Sequence, residues 1–145
     1  MQTFTIEHVL KKKGNKIYSV RSSDTIFSAL KVMEKADIGG VLVVDDDQLV
    51  GVFTERDYAR KIVLKEKFSR ETTLAECMTK EILYIDPKNT IDECLALMSA
   101  KRVRHLPVMR KGILIGIVTI GDIIEQFIAQ QKFIINNLEH YIQNG

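Results

Sequence analysis

The chain has 145 residues, 46% hydrophobic and 28% charged, which is the size of one ordinary domain or two small units sharing a core, with the balance of a soluble globular protein. Its formal charge of +2, from 21 Lys plus Arg against 19 Asp plus Glu, creates no field that would hold a nucleic acid, although Lys11-Lys12-Lys13 and Lys101-Arg102 with Arg104 leave room for an anionic small molecule. No apolar run approaches the roughly 18 residues of a membrane span, and Glu7 and His8 interrupt the first apolar residues as a signal peptide would not, so no membrane partner and a cytoplasmic location are expected.

Taken in order, residues 1–16 form an N-terminal segment whose Lys11-Lys12-Lys13 reads as a solvated loop. Ile17-Tyr18-Ser19-Val20 is a short β-branched and aromatic run, hence a strand. Thr25 to Ala36 places Ile26, Ala29, Leu30 and Met33 at helical spacing. Val41 to Val44 and Leu49 to Phe53 form a hairpin across Asp45-Asp46-Asp47-Gln48, a solvated tip rather than a metal site. Asp57 opens a further helix, and this first unit spans 17–66. A polar linker, 67–77, carries the chain to a second unit over 78–130. There Ile82 to Ile85 reads as a strand, and Thr90 to Lys101 as a helix opening on the capping box Thr90-Ile91-Asp92-Glu93. Leu106 to Met109 and Ile113 to Val118 pair across Arg110-Lys111-Gly112, and Asp122 opens the last helix. The tail, 131–145, continues an apolar stripe with Ile134, Ile135, Leu138, Tyr141 and Ile142. Such a helix either covers exposed core or joins a second chain.

The two units are copies. Shifted by about 65 residues the chain aligns on itself without a gap, so that Thr25-Ile26 falls on Thr90-Ile91, Met33 on Met98, Gly51 on Gly116, Thr54 on Thr119 and Asp57 on Asp122. Each copy is β-α-β-β-α, giving an α/β (α+β) class. Val41-Leu42-Val43-Val44 is apolar on both faces, so neither half is expected to be stable alone. Two repeats packed sheet to sheet about a pseudo-twofold axis, plus the C-terminal helix, satisfy that pattern.

Both copies end in one chemical device: Gly51-Val52-Phe53-Thr54-Glu55-Arg56-Asp57 and Gly116-Ile117-Val118-Thr119-Ile120-Gly121-Asp122. A buried strand ends in a hydroxyl, and three residues on a carboxylate lies one helical turn away on the same side. The carboxylate can accept two hydrogen bonds from a vicinal diol such as a ribose. Its plain alternative is structural, since an acidic side chain in a helix's first turn satisfies loose N–H groups and suits the dipole. Repetition of the device beside glycines favours a ligand.

With these residues in place, the chain resembles a tandem CBS (cystathionine beta-synthase) domain pair, a Bateman module, over roughly residues 5 to 128. It is most similar to small stand-alone bacterial CBS-pair proteins, in which Ile38-Gly39-Gly40, Glu55-Arg56-Asp57-Tyr58-Ala59-Arg60 and Arg102-Val103-Arg104-His105-Leu106-Pro107-Val108 have close analogues. The resemblance implies clefts between the repeats that bind adenine nucleotides such as AMP, ATP, NAD(H) or S-adenosylmethionine. It implies that Asp122 and Thr119, with Gly121, hold the ribose of one site. The residues matching Ile38-Gly39-Gly40 and the backbone near Ser19 then grip the adenine, while Lys11 and Arg104 with His105 face the phosphate. The mirror site uses Asp57, Thr54 and Arg56 with Tyr84, Val103, Arg104, His105, Met78 and Thr79. Gly39-Gly40 against Arg104-His105 makes the two sites unequal, and the Asp122 site is expected to bind better.

No Gly-Lys-Ser or Gly-Lys-Thr phosphate loop, His-Glu-x-x-His or nucleophile elbow occurs, so no catalytic residue, catalytic cofactor or metal is assigned. Cys77 and Cys94 have neither metal-ligand spacing nor a framework of partners and read as free thiols. The expectation is a non-enzymatic regulatory module that senses energy or redox state, AMP first among its ligands, forms a homodimer and controls an unidentified protein. The alternative is a homodimeric interaction scaffold whose clefts are vestigial.

Overall fold

The computed structural model describes residues 4–14 and 16–144. They form α1 (Ile6–Lys13), β1 (Ser19–Val20), α2 (Ile26–Ala36), β2 (Gly40–Asp45), β3 (Gln48–Thr54), α3 (Glu55–Asp57), α4 (Leu74–Cys77), α5 (Ile91–Lys101), β4 (His105–Arg110), β5 (Ile113–Thr119) and α6 (Ile120–Asn144), with a π-helical stretch, Tyr58–Val63, continuing α3. Two compact units result: one holds 17–83, the other 1–16 with 84–145.

In the 17–83 unit, β1 runs parallel to β2, and β2 pairs antiparallel with β3. Asp46 and Asp47 both take positive φ at the hairpin tip, the primed geometry whose twist matches the flanking strands. Asp45 is engaged there: its carboxylate accepts from the Ser22 hydroxyl and from the Ser22 N–H at 3.0 Å. Those two bonds hold its pKa below the ordinary value. α2 starts where Thr25 accepts from the Ser28 N–H, and it ends with Asp37 in the left-handed region. Its buried face, Ile26, Ala29 and Met33, meets Val41, Val43 and Phe53 in the core. Val41, Leu42 and Val43 are all buried, so β2 is covered on both faces as its composition requires.

The second unit repeats this with one loss. α5 opens on the expected capping box of Thr90 and Glu93, and β4 pairs with β5. The strand expected at Ile82 to Ile85, however, shrinks to a single parallel bridge, Ile85 to Val108. The reason lies in the partner strand. In the first unit Leu42 donates its N–H to the Tyr18 carbonyl at 3.3 Å. The equivalent residue in β4 is Pro107, which has no N–H and cannot extend the ladder.

Two further expectations change. Lys11-Lys12-Lys13 is not loop but the last turn of α1, where three cations suit the negative end of the helix before Gly14 at φ 91° ends it. The 67–77 segment is not all solvated linker either: Thr72, Leu74 and Cys77 are buried. Each segment leading into a repeat docks on the other repeat's unit. Ile26 donates to the Thr72 carbonyl at 2.8 Å, and Ile91 to the Phe4 carbonyl at 3.1 Å. Bridges join Thr25 to Thr73 and Thr5 to Thr90.

Candidate functional site

Each Thr-x-x-Asp turn folds into a reciprocal cap. Thr54 ends β3 in extended backbone and caps α3, so Asp57 is the third helical residue. The Thr54 N–H donates to Asp57 Oδ2 at 3.0 Å, and the Asp57 N–H donates back to Thr54 Oγ1 at 3.2 Å. In the second unit the Thr119 N–H donates to Asp122 Oδ2 at 2.9 Å, and the Asp122 N–H to Thr119 Oγ1 at 3.2 Å. The residue after each threonine is anchored as well: Glu55 donates to the Gly39 carbonyl at 3.0 Å, and Ile120 to the Arg104 carbonyl at 2.9 Å. The structural role of the carboxylate is therefore real. It consumes only Oδ2.

The other oxygen separates the two sites. Asp57 Oδ1 accepts from the Thr79 hydroxyl at 3.2 Å and lies 3.4 Å from Lys61 Nζ. Lys61 also donates to the Thr79 hydroxyl and to the Cys77 carbonyl, both at 3.0 Å. Asp122 instead meets Lys13, whose Nζ sits 2.6 Å from Oδ2 and 2.9 Å from the Ile117 carbonyl. Among the described residues Asp122 Oδ1 has no protein donor, and 22% of the side chain is exposed.

Beside it opens a cleft of about 210 Å³ lined by Val9, Lys12, Lys13, Asp122, Glu125 and Gln126. Its polar lining is two ion pairs, Lys13 with Asp122 at 2.6 Å and Lys12 with Glu125 at 3.5 Å, beside the Gln126 amide. The volume, about 210 Å³, is below the roughly 300–1,000 Å³ of a whole-ligand pocket.

The other sequence-assigned residues fall as follows. Ser19, Ile38, Gly39, Gly40, Thr54, Arg56, Asp57, Met78 and Thr79 belong to the 17–83 unit, where Thr54, Asp57 and Thr79 are brought together. Lys11, Tyr84, Val103, Arg104, His105, Thr119, Gly121 and Asp122 belong to the other. There His105 is the ladder partner of Thr119, Tyr84 is exposed, and Lys11 is exposed on α1 while Lys13 makes the contact with Asp122. The glycines leading each motif leave space for packing: a Cβ on Gly51 would lie 2.5 Å from Met78 Sδ, and one on Gly116 2.8 Å from Leu10 Cδ2. Lys61 was visible in sequence as the i+4 partner of Asp57. Lys13 was not, because nothing local links it to a residue more than a hundred positions away.

The CBS domain model matches residues 6–64 and 74–129, each repeat together with the segment that leads into it. This chain belongs to the CBS domain family. The pair is 31% identical, over 99% of its length and 74% of the relative's, to the mitochondrial CBS domain-containing protein CBSX3 of Arabidopsis thaliana. A CBS-domain protein from Burkholderia ambifaria shares 45% identity and a TM-score of 0.84 over 88% of this chain and 96% of its own. The CBS domain pair of protein MJ0100, at 24% identity and a TM-score of 0.77 over 89% and 99% of the two chains, shares the fold. That pair was solved in complex with 5′-methylthioadenosine and S-adenosyl-L-methionine. CBS pairs are regulatory, ligand-binding modules, and the tandem repeat read from the sequence is this pair.

Proposed function

We propose that this CBS pair is a regulatory module that binds a phosphorylated adenosine ligand at Asp122, AMP first, with ATP and NAD(H) as further candidates, and reports its occupancy to a partner protein. The observation that carries this reading is Oδ1 of Asp122, which no described residue claims, beside the Lys13 ammonium. The cap fixes the carboxylate through Oδ2, leaving Oδ1 as an acceptor for a ribose hydroxyl without dismantling the helix start. Lys13 has three donors, of which two go to Ile117 and Asp122, leaving one to meet a phosphate oxygen. This charge pattern ranks phosphate-bearing ligands above S-adenosylmethionine, whose sulfonium would face a cation. The ligands of MJ0100, 5′-methylthioadenosine and S-adenosyl-L-methionine, support the adenosine part of this class; neither carries a phosphate, so the preference for one rests on Lys13 alone.

Thermal melts with AMP, ADP, ATP, NAD, NADH and S-adenosylmethionine test it, because a ligand selective for the folded state raises the midpoint by mass action. Loss of a charge-assisted contact in Asp122→Ala costs about 2 kcal/mol, or roughly 30-fold in affinity. Calorimetry showing unchanged affinity in that variant would reject the site. Flat melts with every ligand favour the second reading, a homodimeric scaffold with vestigial clefts, which the apolar outer stripe of α6 supports.

A further inference from the structure

α6 carries two apolar faces, and its own unit uses one. Ile123, Gln126 and Gln130 are buried, Gln130 accepts from the Phe4 N–H at 3.1 Å, and the Phe133 ring lies 6.4 Å from that of Phe4. More than about 100° round the helix, at roughly 100° per residue, runs a second stripe: Ile124, Ile128, Gln131, Ile135, Leu138 and Ile142. Its apolar members are between 45% and 76% exposed.

The stripe has a coiled-coil signature. Its spacing alternates four and three, a strict heptad seam of a and d positions, with Ile128, Ile135 and Ile142 at a and Ile124, Gln131 and Leu138 at d. A helix that only covers its own domain has no need of a 3.5-residue period on its outer side. The flanking e position is charged throughout: Glu125, Lys132 and Glu139.

We propose that the end of α6 pairs antiparallel with the same helix of a second copy of this chain, about an axis between Asn136 and Asn137. Charge selects this partner and register. In an antiparallel pair e faces e, a faces d, and a twofold axis makes each contact twice. With the axis there, Ile135 meets Leu138 of the second copy and Lys132 meets Glu139, two opposite-charge pairs. Moving the axis half a heptad toward the N-terminus, near Phe133, sets Lys132 against Lys132 and Glu125 against Glu139, which repels. A full heptad back would need Glu125, which already lies 3.5 Å from Lys12 of its own chain. A parallel pair sets e against Phe127, Ile134 and Tyr141 and gains no ion pair.

Sedimentation across a concentration range tests the register with Lys132→Glu and Glu139→Lys, both exposed helix positions whose folding is checked by circular dichroism. Each variant alone sets like charges against each other twice and dimerises about 3- to 30-fold more weakly than the parent, as the loss of two exposed pairs implies. An equimolar mixture restores both pairs and returns a dimer of parental affinity. A parent that stays monomeric, single variants that dimerise like the parent, or a mixture that fails to recover would overturn the proposal. Binding of the monomer to anionic vesicles would do so too, by assigning the stripe to a lipid surface. AMP affinity is unchanged in both variants, so this outcome is separable from the ligand reading.

Discussion

Replacing each motif aspartate by alanine separates a structural carboxylate from one with an oxygen to spare. Asp57→Ala removes the cap on the Thr54 N–H, the bond from the Thr79 hydroxyl and the Lys61 contact. A cap is worth about 1 kcal/mol, the hydroxyl bond to the carboxylate, at 3.2 Å long for a charge-assisted one, about 1, and an i,i+4 ion pair about 0.3–0.5, for a total of about 2–2.5 kcal/mol. Asp122→Ala removes the same kind of cap and one partly exposed ion pair, for a total of about 1–1.5 kcal/mol. At about 2–4 °C per kcal/mol for a chain of this size, the Asp57 variant melts about 4–10 °C below the parent and the Asp122 variant about 2–6 °C below it. The ligand response runs the other way: AMP raises the midpoint of Asp57→Ala, and at the same concentration raises that of Asp122→Ala much less, as a roughly 30-fold weaker site requires. Thermal denaturation followed by circular dichroism, with and without AMP, reads both quantities. An Asp122 variant that melts as low as the Asp57 variant, or an AMP shift lost at Asp57 and kept at Asp122, would refute this asymmetry.

Three other outcomes are expected. The Asp45 carboxylate is held below its ordinary pKa of 3.8, first by the Ser22 hydroxyl and then by its N–H, so its contribution is complete above that value and fades as pH falls through the lower folded value. Urea midpoints of Asp45→Asn and the parent should therefore differ at neutral pH and converge in acid. Gly51→Ala should destabilise by about 1–3 kcal/mol, because the new Cβ would lie 2.8 Å from Met78 Cγ and 3.2 Å from its Cβ, close to the backbone. Gly116→Ala should cost less, since the atom it meets is the far end of Leu10; urea melts of the two variants decide the order. Cys94 is buried and its thiol is pushed up to about 11 by desolvation, so a thiol reagent at pH 8 should label it only after denaturation, read by mass spectrometry.

The duplication was legible because it is written in local residues: capping threonines, helical spacing, and hairpin tips whose positive φ recurs in both copies. The missing strand near Ile85 was legible in principle, since Pro107 stands in the sequence where Leu42 stands in the first repeat. Reading it required knowing that the Leu42 N–H is the bond extending β1. The π-helical turn at Tyr58–Val63 and the short α4 left no periodic signal, being too brief to show a full apolar face.

The difference between the two carboxylates traces to where the leading helices stop. The docked segments correspond, Thr5 to Thr73 and Leu10 to Met78, which makes Lys11 the counterpart of Thr79. α4 ends at Cys77, Met78 is extended, and Thr79 exchanges backbone bonds of 3.0 and 2.9 Å with Val52, which turns its hydroxyl onto Asp57. α1 does not stop there. Its run of lysines, good helix formers at the end where cations are favoured, carries the helix four residues past Val9, the counterpart of Cys77, so the side chain that arrives at Asp122 is Lys13. A duplicated cap has thus diverged through the length of a helix outside the motif. One copy is closed by a hydroxyl and Lys61, and the other keeps beside Lys13 an oxygen that no described residue fills.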